Sequence, residues 1–476
     1  MLRSLVIGVV ILLAFMASCT PEEEKITFES DAVLRFSTDT IFFDTVFTQI
    51  STEIRNVTKR FRVYNDNDNA VRISDISLAG GSESPYTLIV NGRPGSSFTD
   101  TRVLGGDSML VLVEVSIDPQ DESLPFVVED QVNFLTNGNA QDVKLVSWGQ
   151  DANFLRDSVL ACNTVFTGDK PYVIYNSILV DTLCNLTIEP GARIFSHNSS
   201  FIFVRGSIHV QGTAEMKVLF TNDRFDDNFK NAPGQWGGII FLPGSQDNVI
   251  DHAEIRNAEI GLYLGTPDDD DEPDLIVNNT RIENIGGNNV LPIGGDFVQP
   301  GFGIIAITSD LYVTNTLINN CAVNVLGNYA GGNYKYEHCT FANFSFDFFR
   351  EDAAVVFSDN LVLPGNRLLV SDLSVEMYNS IIWGNLREEL LISESGEVVT
   401  TIILENNLIR TENADVSDGN ILNEDPKFFD PRDYVYSLDT LSPAKDVGVD
   451  IGIFFDLEGN ERDELPDLGA FERIEN

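Results

Sequence analysis

The segment Val313-Thr-Asn-Thr-Leu-Ile318 is one of six related segments that lie between Val249 and Arg410. Each segment places a histidine or asparagine in one column and an apolar residue three positions later. The first column consists of His252, Asn279, Asn315, His338, Asn379 and Asn406. Four segments carry a further asparagine beyond the apolar position, namely Asn257, Asn284, Asn320 and Asn343. Such recurrence at spacings of 23 to 41 residues predicts a solenoid whose coils differ in loop length.

The residues that follow these columns indicate the kind of coil. Apolar residues continue at every second position, as in Ile260 and Leu262 or Val323 and Val325, which is typical of strands. Asparagine tolerates the left-handed backbone needed to turn sharply between two strands. When coils stack, its amide can also bond the amide of the next coil. We therefore predict stacked parallel strands with a structural ladder made of the ten histidines and asparagines above.

Further motifs carry a resemblance to a known family. They include Leu186-Thr-Ile-Glu-Pro-Gly191, Gly234-Gln-Trp-Gly-Gly-Ile239 and the tail Asp467-Leu-Gly-Ala-Phe-Glu472. Over roughly residues 160–476 the chain resembles right-handed parallel β-helix proteins of the pectin-lyase-like superfamily. It is most similar to a little-characterised family of β-helix outer-membrane lipoproteins from Gram-negative bacteria. The resemblance implies the fold but no particular reaction.

The N-terminus is predicted to be a processing segment. Arg3 is followed by an apolar run from Leu5 to Phe15, which is too short to span a bilayer. Residues 16–19, Met-Ala-Ser-Cys, resemble a lipobox, in which Cys19 is acylated and becomes the new N-terminus. The alternative is an ordinary secretory signal peptide with an incidental cysteine. Acylation would hold the protein at the outer membrane through its lipid anchor only. The acidic stretch Thr20-Pro-Glu-Glu-Glu24 resembles signals that route some outer-membrane lipoproteins to the cell exterior, so we expect the protein to face outward.

Composition limits the possible partners. Thirty Lys and Arg stand against 73 Asp and Glu, which gives a net charge of −43. Because this charge repels phosphate backbones, nucleic acid is excluded as a partner. We expect a monomer whose partner is a glycan or a surface protein.

The chain divides into several predicted segments. After the signal peptide at residues 1–19 and an acidic tether at 20–26, residues 27–150 alternate between short strands and turn clusters, as in an immunoglobulin-like β-sandwich. Residues 151–427 are predicted to form the β-helix. Residues 428–476 are predicted to cap its open end, where strand edges would otherwise be exposed. The expected class is therefore all-β.

The remaining cysteines fall into two pairs. Cys162 and Cys184 lie about one coil apart, so they could form a disulfide between adjacent layers in an oxidising compartment. Cys339 lies in an inward column and Cys321 lies beyond an asparagine turn. We expect both of these to be buried free thiols.

Two features suggest ligands. The run from Asp268 to Asp274 concentrates carboxylates, and oxygen ligands of this kind suit calcium. Its candidate ligands are Asp268, Asp269, Asp271 and Asp274, and the alternative is a solvated loop between coils. Aromatic side chains could stack on sugar rings or pack against the coil, and these are Trp236, Tyr329, Tyr334 and Tyr336.

Enzyme motifs of related folds are missing. The segment Val249-Ile-Asp-His252 is similar to a short motif of pectate lyases, but the ladder already explains its histidine. The chain has no Gly-His-Gly segment and only four histidines. The sequence favours a lipid-anchored, non-enzymatic protein that binds a glycan or a protein partner. The alternative is a polysaccharide lyase or glycoside hydrolase that uses the β-helix groove.

Overall fold

The computed structural model describes residues 24–48, 57–226, 229–267, 270–288, 291–293, 296–344, 346, 349–363 and 365–474. The chain separates into two compact units, with the boundary between Asp151 and Ala152. Strands dominate both units, and the short helical turns are of the 3-10 type. No helix in the described ranges combines the length and the apolar character that crossing a membrane requires.

The first unit consists of two facing sheets. Its strands are β1 (Ile26–Thr27), β2 (Arg35–Phe36), β3 (Thr40–Phe47), β4 (Val57–Tyr64), β5 (Ala70–Leu78), β6 (Tyr86–Val90), β7 (Arg93–Gly95), β8 (Ser97–Val103), β9 (Ser108–Val115), β10 (Phe126–Thr136) and β11 (Asn139–Gln150). One sheet has the order β1-β5-β10-β11-β3 with β8 also paired to β5, and the other has the order β2-β4-β9-β6-β7. Alternate residues of both sheets, such as Val63, Val111 and Leu145, form one buried core. The predicted immunoglobulin-like sandwich is confirmed.

The second unit is a coil of three parallel sheets. The first sheet contains β13 (Thr164–Phe166), β15 (Asn185–Ile188), β18 (Ser207–Gln211), β21 (Asn248–Asp251), β24 (Leu275–Asn278), β29 (Leu311–Thr314), β32 (Gly332–Glu337), β37 (Leu373–Tyr378) and β40 (Thr400–Glu405). The second contains β16 (Arg193–Ser196), β19 (Val218–Asn222), β22 (Ala253–Arg256), β25 (Arg281–Ile285), β30 (Leu317–Cys321), β33 (Thr340–Asn343), β38 (Ile381–Gly384), β41 (Leu408–Ile409) and β42 (Ile421–Leu422). The third contains β17 (Phe201–Val204), β20 (Gly238–Phe241), β23 (Leu262–Leu264), β28 (Ile304–Ile307), β31 (Leu326–Tyr329), β34 (Val355–Ser358) and β39 (Leu390–Ser393). Strand β12 (Asn153–Val159) pairs with β14 (Tyr172–Val180). Strand β14 also pairs with both β16 and β17 and so joins the second and third sheets.

Inward-facing residues stack in register from coil to coil. The predicted apolar column of the second sheet pairs residue by residue, in the order Ile255, Ile282, Ile318, Phe341, Ile382 and Ile409. All six side chains are fully buried. Because burying one such side chain contributes about 1.5–3 kcal/mol, these columns are a main source of stability. The predicted parallel β-helix is confirmed.

In six of the coils, one left-handed residue turns the chain between the first and second sheets. His252, Asn279, Asn315, His338, Asn379 and Asn406 occupy this position, and their φ angles lie between 43° and 57°. This left-handed conformation is uncommon for residues other than glycine, and asparagine and histidine are enriched in it. The recurring column of the sequence is therefore the corner of the coil.

Three hairpins and a C-terminal segment lie outside the three sheets of the coil. The hairpins are β26 (Leu291–Ile293) with β27 (Asp296–Val298), β35 (Asn360–Leu363) with β36 (Arg367–Val370), and β43 (Phe428–Asp430) with β44 (Val435–Leu438). The last hairpin begins the C-terminal segment.

This C-terminal segment lies along the side of the coil. Its buried residues, including Tyr436 and Leu468, cluster with outward-facing Leu317 and Ile381 of the second sheet. Polar contacts extend farther, and Glu458 Oε2 lies 3.2 Å from Lys217 Nζ in a much earlier coil. The second sheet is apolar on its outer surface as well, which favours burial of this segment there. That residues 428–476 also cap the open end of the coil stays a prediction.

Candidate functional site

The described residues of the run from Asp268 to Asp274 make hydrogen bonds within the fold. Asp274 is buried, and its Oδ2 accepts hydrogen bonds from Thr266 Oγ1 (2.7 Å) and from the backbone N–H of Asp310 (3.0 Å). Asp271 Oδ1 accepts from Asn333 Nδ2 at 3.2 Å. Asp268 and Asp269 lie outside the described residues. Across the described part of the chain, no three His, Cys, Asp or Glu side chains are grouped to hold a metal ion, so calcium binding stays a prediction.

The asparagines beyond the apolar column form a continuous chain of amide hydrogen bonds. Asn320 Nδ2 donates to Asn284 Oδ1 at 2.9 Å, and Asn284 Nδ2 donates to Asn257 Oδ1 at 2.7 Å. The chain continues from Asn257 to Asn222, which the sequence pattern did not include. Asn343 instead bonds the backbone of the adjacent coil at Cys321. Each amide thereby satisfies polar groups of the next coil.

The corner residues make a second set of contacts between coils. Asn315 Nδ2 donates to Asn279 Oδ1 at 3.2 Å, and Asn379 Nδ2 donates to His338 Nε2 at 3.0 Å. Burial, and then the nearby Arg462 guanidinium, lower the pKa of His338 to about 3. This imidazole is therefore neutral near pH 7, and its Nε2 can accept the hydrogen bond from the Asn379 amide. His252 Nδ1 lies 2.8 Å from Asp251 Oδ1 on the adjoining strand.

The cysteines differ in their surroundings. Cys162 and Cys184 form a disulfide with a Cα–Cα distance of 4.4 Å. Cys321 and Cys339 are buried free thiols. Burial raises the pKa of Cys339 to about 12, so it remains protonated and is a poor nucleophile. Cys19 lies outside the described residues.

Three of the four candidate sugar-stacking residues are buried. Trp236 is fully buried, and its Nε1 donates to the Arg256 carbonyl at 2.7 Å. Tyr334 and Tyr336 point into the coil, and their hydroxyl groups donate to the Gly331 carbonyl and to Asn328 Oδ1. Tyr329 is partly exposed on the third sheet. The buried three support the coil and offer no surface to a sugar.

The outer face of the third sheet carries an apolar row. In register it runs through Phe203, Ile240, Tyr263, Ile305, Gly327, Val356 and Leu391. Leu291 and Val298, from the β26–β27 hairpin, belong to the same hydrophobic cluster. None of the residues in this row is a carboxylate, histidine, lysine or arginine. A lyase would need a base and a positive charge at such a face.

A pocket of about 580 Å³ lies at the C-terminal end of the coil. Its wall consists of Trp383, Arg387, Arg410, Thr411, Glu412, Asn413, Ala414, Leu422, Asn423 and Asp425. The Arg410 guanidinium lies 5.0 Å from the centre of the Trp383 ring and donates to the Gly384 carbonyl at 2.6 Å. Arg387, Glu412 and Asp425 are exposed to solvent. We define these ten residues as the end pocket.

Buried polar contacts hold the loops of the end pocket. Arg350 and Glu389 form a two-point ion pair, with N–O distances of 2.7 and 2.8 Å, and neither side chain is exposed. Glu389 also accepts from the backbone of Leu386. Glu388 Oε2 accepts from the backbone N–H of Glu412 at 2.9 Å. The pocket is therefore organised before any ligand arrives.

The end pocket combines groups that suit a polar, ring-shaped ligand. Trp383 is largely buried, and the 7 % of it that is exposed lines the pocket. Arg387 makes no ion pair with any residue that the structure describes, so its donors can reach a ligand. Glu412 and Asp425 offer acceptors for hydroxyl groups. This site was not predicted from the sequence, because its residues come from three separate segments of the chain.

A comparison with protein families supports the β-helix fold. The sequence model of a family described as a pectate-lyase like beta helix domain matches residues 158–290. Among solved structures, the chain is similar to the catalytic unit of a GH87 alpha-1,3-glucanase from Streptomyces thermodiastaticus, with 12 % identity, 74 % of this chain and 78 % of that chain covered, and a TM-score of 0.26. A comparison with curated proteins finds no match.

Two other similar structures correspond to shorter parts of the chain. One is the YadV chaperone, with 11 % identity, 24 % of this chain and 50 % of that chain covered, and a TM-score of 0.17. The other is a family 123 glycoside hydrolase from Clostridium perfringens, with 6 % identity, 26 % of each chain covered, and a TM-score of 0.17. The chain spans half or less of these two relatives. At such scores the similarities carry no argument about function.

Proposed function

We propose that this protein is a lipid-anchored protein of the bacterial cell surface that binds a glycan in the end pocket without cleaving it. The end pocket is the observation that carries the proposal, because an aromatic ring, arginine donors and carboxylate acceptors meet there. Sugars present apolar ring faces together with hydroxyl groups, and these match an aromatic surface with polar neighbours. The signal segment and Cys19 provide the anchor in this proposal.

Three observations favour binding over catalysis. The outer row of the third sheet is apolar, and it lacks the charged groups that cleavage of a uronic acid polymer requires. The net charge of −43 opposes the approach of acidic polymers. The His338 imidazole is neutral and hydrogen-bonded to Asn379, so its role is structural rather than catalytic.

A binding assay with surface variants tests the pocket. Purified chain without its signal segment is titrated with dextran, laminarin, mannan and polygalacturonate, with and without calcium. Arg387→Ala and Glu412→Ala each remove a ligand-facing group without touching the core. Each should weaken binding about tenfold, as expected for a lost hydrogen bond to a charged group. Arg367→Ala, which removes an exposed arginine from β36, is the matched control and should bind like the wild type.

The same incubations test for catalysis. Products that absorb in the ultraviolet would reveal a lyase, and new reducing ends would reveal a hydrolase. Either product would contradict the non-enzymatic proposal. Unchanged affinity in both Arg387→Ala and Glu412→Ala would show that the glycan does not bind in the end pocket.

A further inference from the structure

The outer face of the six-stranded sheet in the first unit carries an exposed aromatic patch. Phe42, Val127 and Trp148 are 65 %, 48 % and 47 % exposed, and Val146 is partly exposed between them. These four residues are defined here as the sandwich patch. They lie on three adjacent strands, β3, β11 and β10, with Phe42 paired to Val146 and Trp148 paired to Val127.

The alternation of the strands explains why the patch is on the surface. Phe43 and Leu145 point into the sandwich core and are buried, so their neighbours Phe42 and Val146 point outward. The solvent-facing side of such a sheet is normally polar, because apolar side chains there are not buried on folding and so do not stabilise the fold. A tryptophan and a phenylalanine side by side on this face therefore indicate an interaction surface.

The rim of the sandwich patch is polar and mixed in charge. Lys144 precedes Val146 by two residues on β11, Glu129 pairs with Val146 from β10, and Asp44 follows Phe42 by two residues on β3. All three are exposed. The patch thus offers an apolar centre with both hydrogen-bond donors and acceptors at its rim.

We propose that the sandwich patch is a second binding platform, for a neutral polysaccharide whose sugar rings stack on Trp148 and Phe42. The apolar centre matches the faces of the rings, and the rim matches their hydroxyl groups. Charge decides between the possible occupants. Two copies of a chain with a net charge of −43 repel each other, and so do this chain and an acidic polymer. The glycan class rests on the proposed function, but the site is separate from the end pocket.

Substitution of Trp148 tests the platform in the whole chain. Binding of dextran, laminarin and mannan is measured by affinity electrophoresis for the wild type, Trp148→Ala and Phe28→Ala. Phe28 is the matched control because it is 72 % exposed, belongs to the same unit and lies outside the patch. Trp148→Ala should weaken binding of at least one polymer about tenfold or more, as expected for a central aromatic contact. Phe28→Ala should leave the affinity unchanged.

Fluorescence provides an independent measurement. The chain has three tryptophans, and Trp236 and Trp383 are buried whereas Trp148 is half-exposed. Polysaccharide that stacks on Trp148 should shift the emission of the wild type more than that of Trp148→Phe, in which a contribution from Trp383 of the end pocket remains. A shift of the same size in both proteins would overturn the proposal.

The outcomes separate this platform from the end pocket. Weakened binding in Trp148→Ala but not in Arg387→Ala would support the platform and reject the pocket. Weakened binding in Arg387→Ala alone would overturn the platform and leave the proposed function standing. Failure of every polymer to bind the wild type would reject both. A wild-type dimer in sedimentation that dissociates in Trp148→Ala would also overturn the proposal, because the patch would then bind a second copy.

Discussion

Glu259 should make the stability of the β-helix depend on pH near neutrality. It lies between β22 and β23, where its backbone N–H donates to the Trp236 carbonyl at 2.7 Å. Its side chain is only 3 % exposed, and its Oε2 has no hydrogen-bond partner among the described residues. Burial raises the pKa of this carboxyl from 4.5 to about 7.

The direction of the effect follows from proton binding. Because the folded pKa lies above the unfolded value, the protonated carboxyl stabilises the folded state fully below about pH 4.5. That contribution is lost as the pH rises through about 7. One pKa unit corresponds to about 1.4 kcal/mol, so the wild type should lose about 2–3 kcal/mol from this group between pH 5 and pH 9.

Glu259→Gln isolates this contribution because glutamine does not titrate. Urea unfolding of both proteins is followed from pH 5 to pH 9 by the emission of buried Trp236, which contacts the Glu259 backbone. Other titrating groups cancel in the difference between the two unfolding free energies. The wild type should lose stability relative to the variant as the pH rises. A difference that stays constant across this range would refute the reasoning, whatever its absolute value.

Three further predictions follow from the anchor, the ladder and the buried ion pair. Cys19→Ser should move the protein from membranes to the soluble fraction, and a variant that stays acylated and membrane-bound would contradict the lipobox interpretation. Asn320→Leu should lower the unfolding free energy by about 1–3 kcal/mol, since it removes the bond to Asn284; an unchanged urea midpoint would contradict a role for the ladder. Arg350→Met should destabilise the coil by about 3–5 kcal/mol by leaving Glu389 buried and unpaired, and the double variant with Glu389→Leu should recover much of the loss in thermal melting.

Inward positions are the part of the fold that the sequence reveals best. Ile255, Ile282 and Ile318 recur because every coil must fill the same interior, so their register could be predicted. The left-handed corners were equally visible, since few residues other than asparagine adopt them readily. Because these constraints recur from coil to coil, they appear as a repeated pattern in the sequence.

Residues that point outward have no shared interior to fill, so the sequence did not reveal what covers them. Leu317 and Ile381 look like ordinary strand residues, so nothing indicated that the C-terminal segment would cover them. The end pocket was equally hidden, although one signal existed. The predicted alignment of Ile382 with Ile409 already places the next residues, Trp383 and Arg410, side by side.

The C-terminal segment changes how the coil can come apart. In a simple solenoid each coil touches only its neighbours, so the stack can fray from either end one coil at a time. Here Glu458 reaches Arg281 and Lys217, while Ala470 N–H donates to Thr340 Oγ1 at 2.9 Å. The C-terminal segment thus contacts coils that do not contact one another. Fraying at one layer must break contacts at several, which turns a one-dimensional stack into a single cooperative unit.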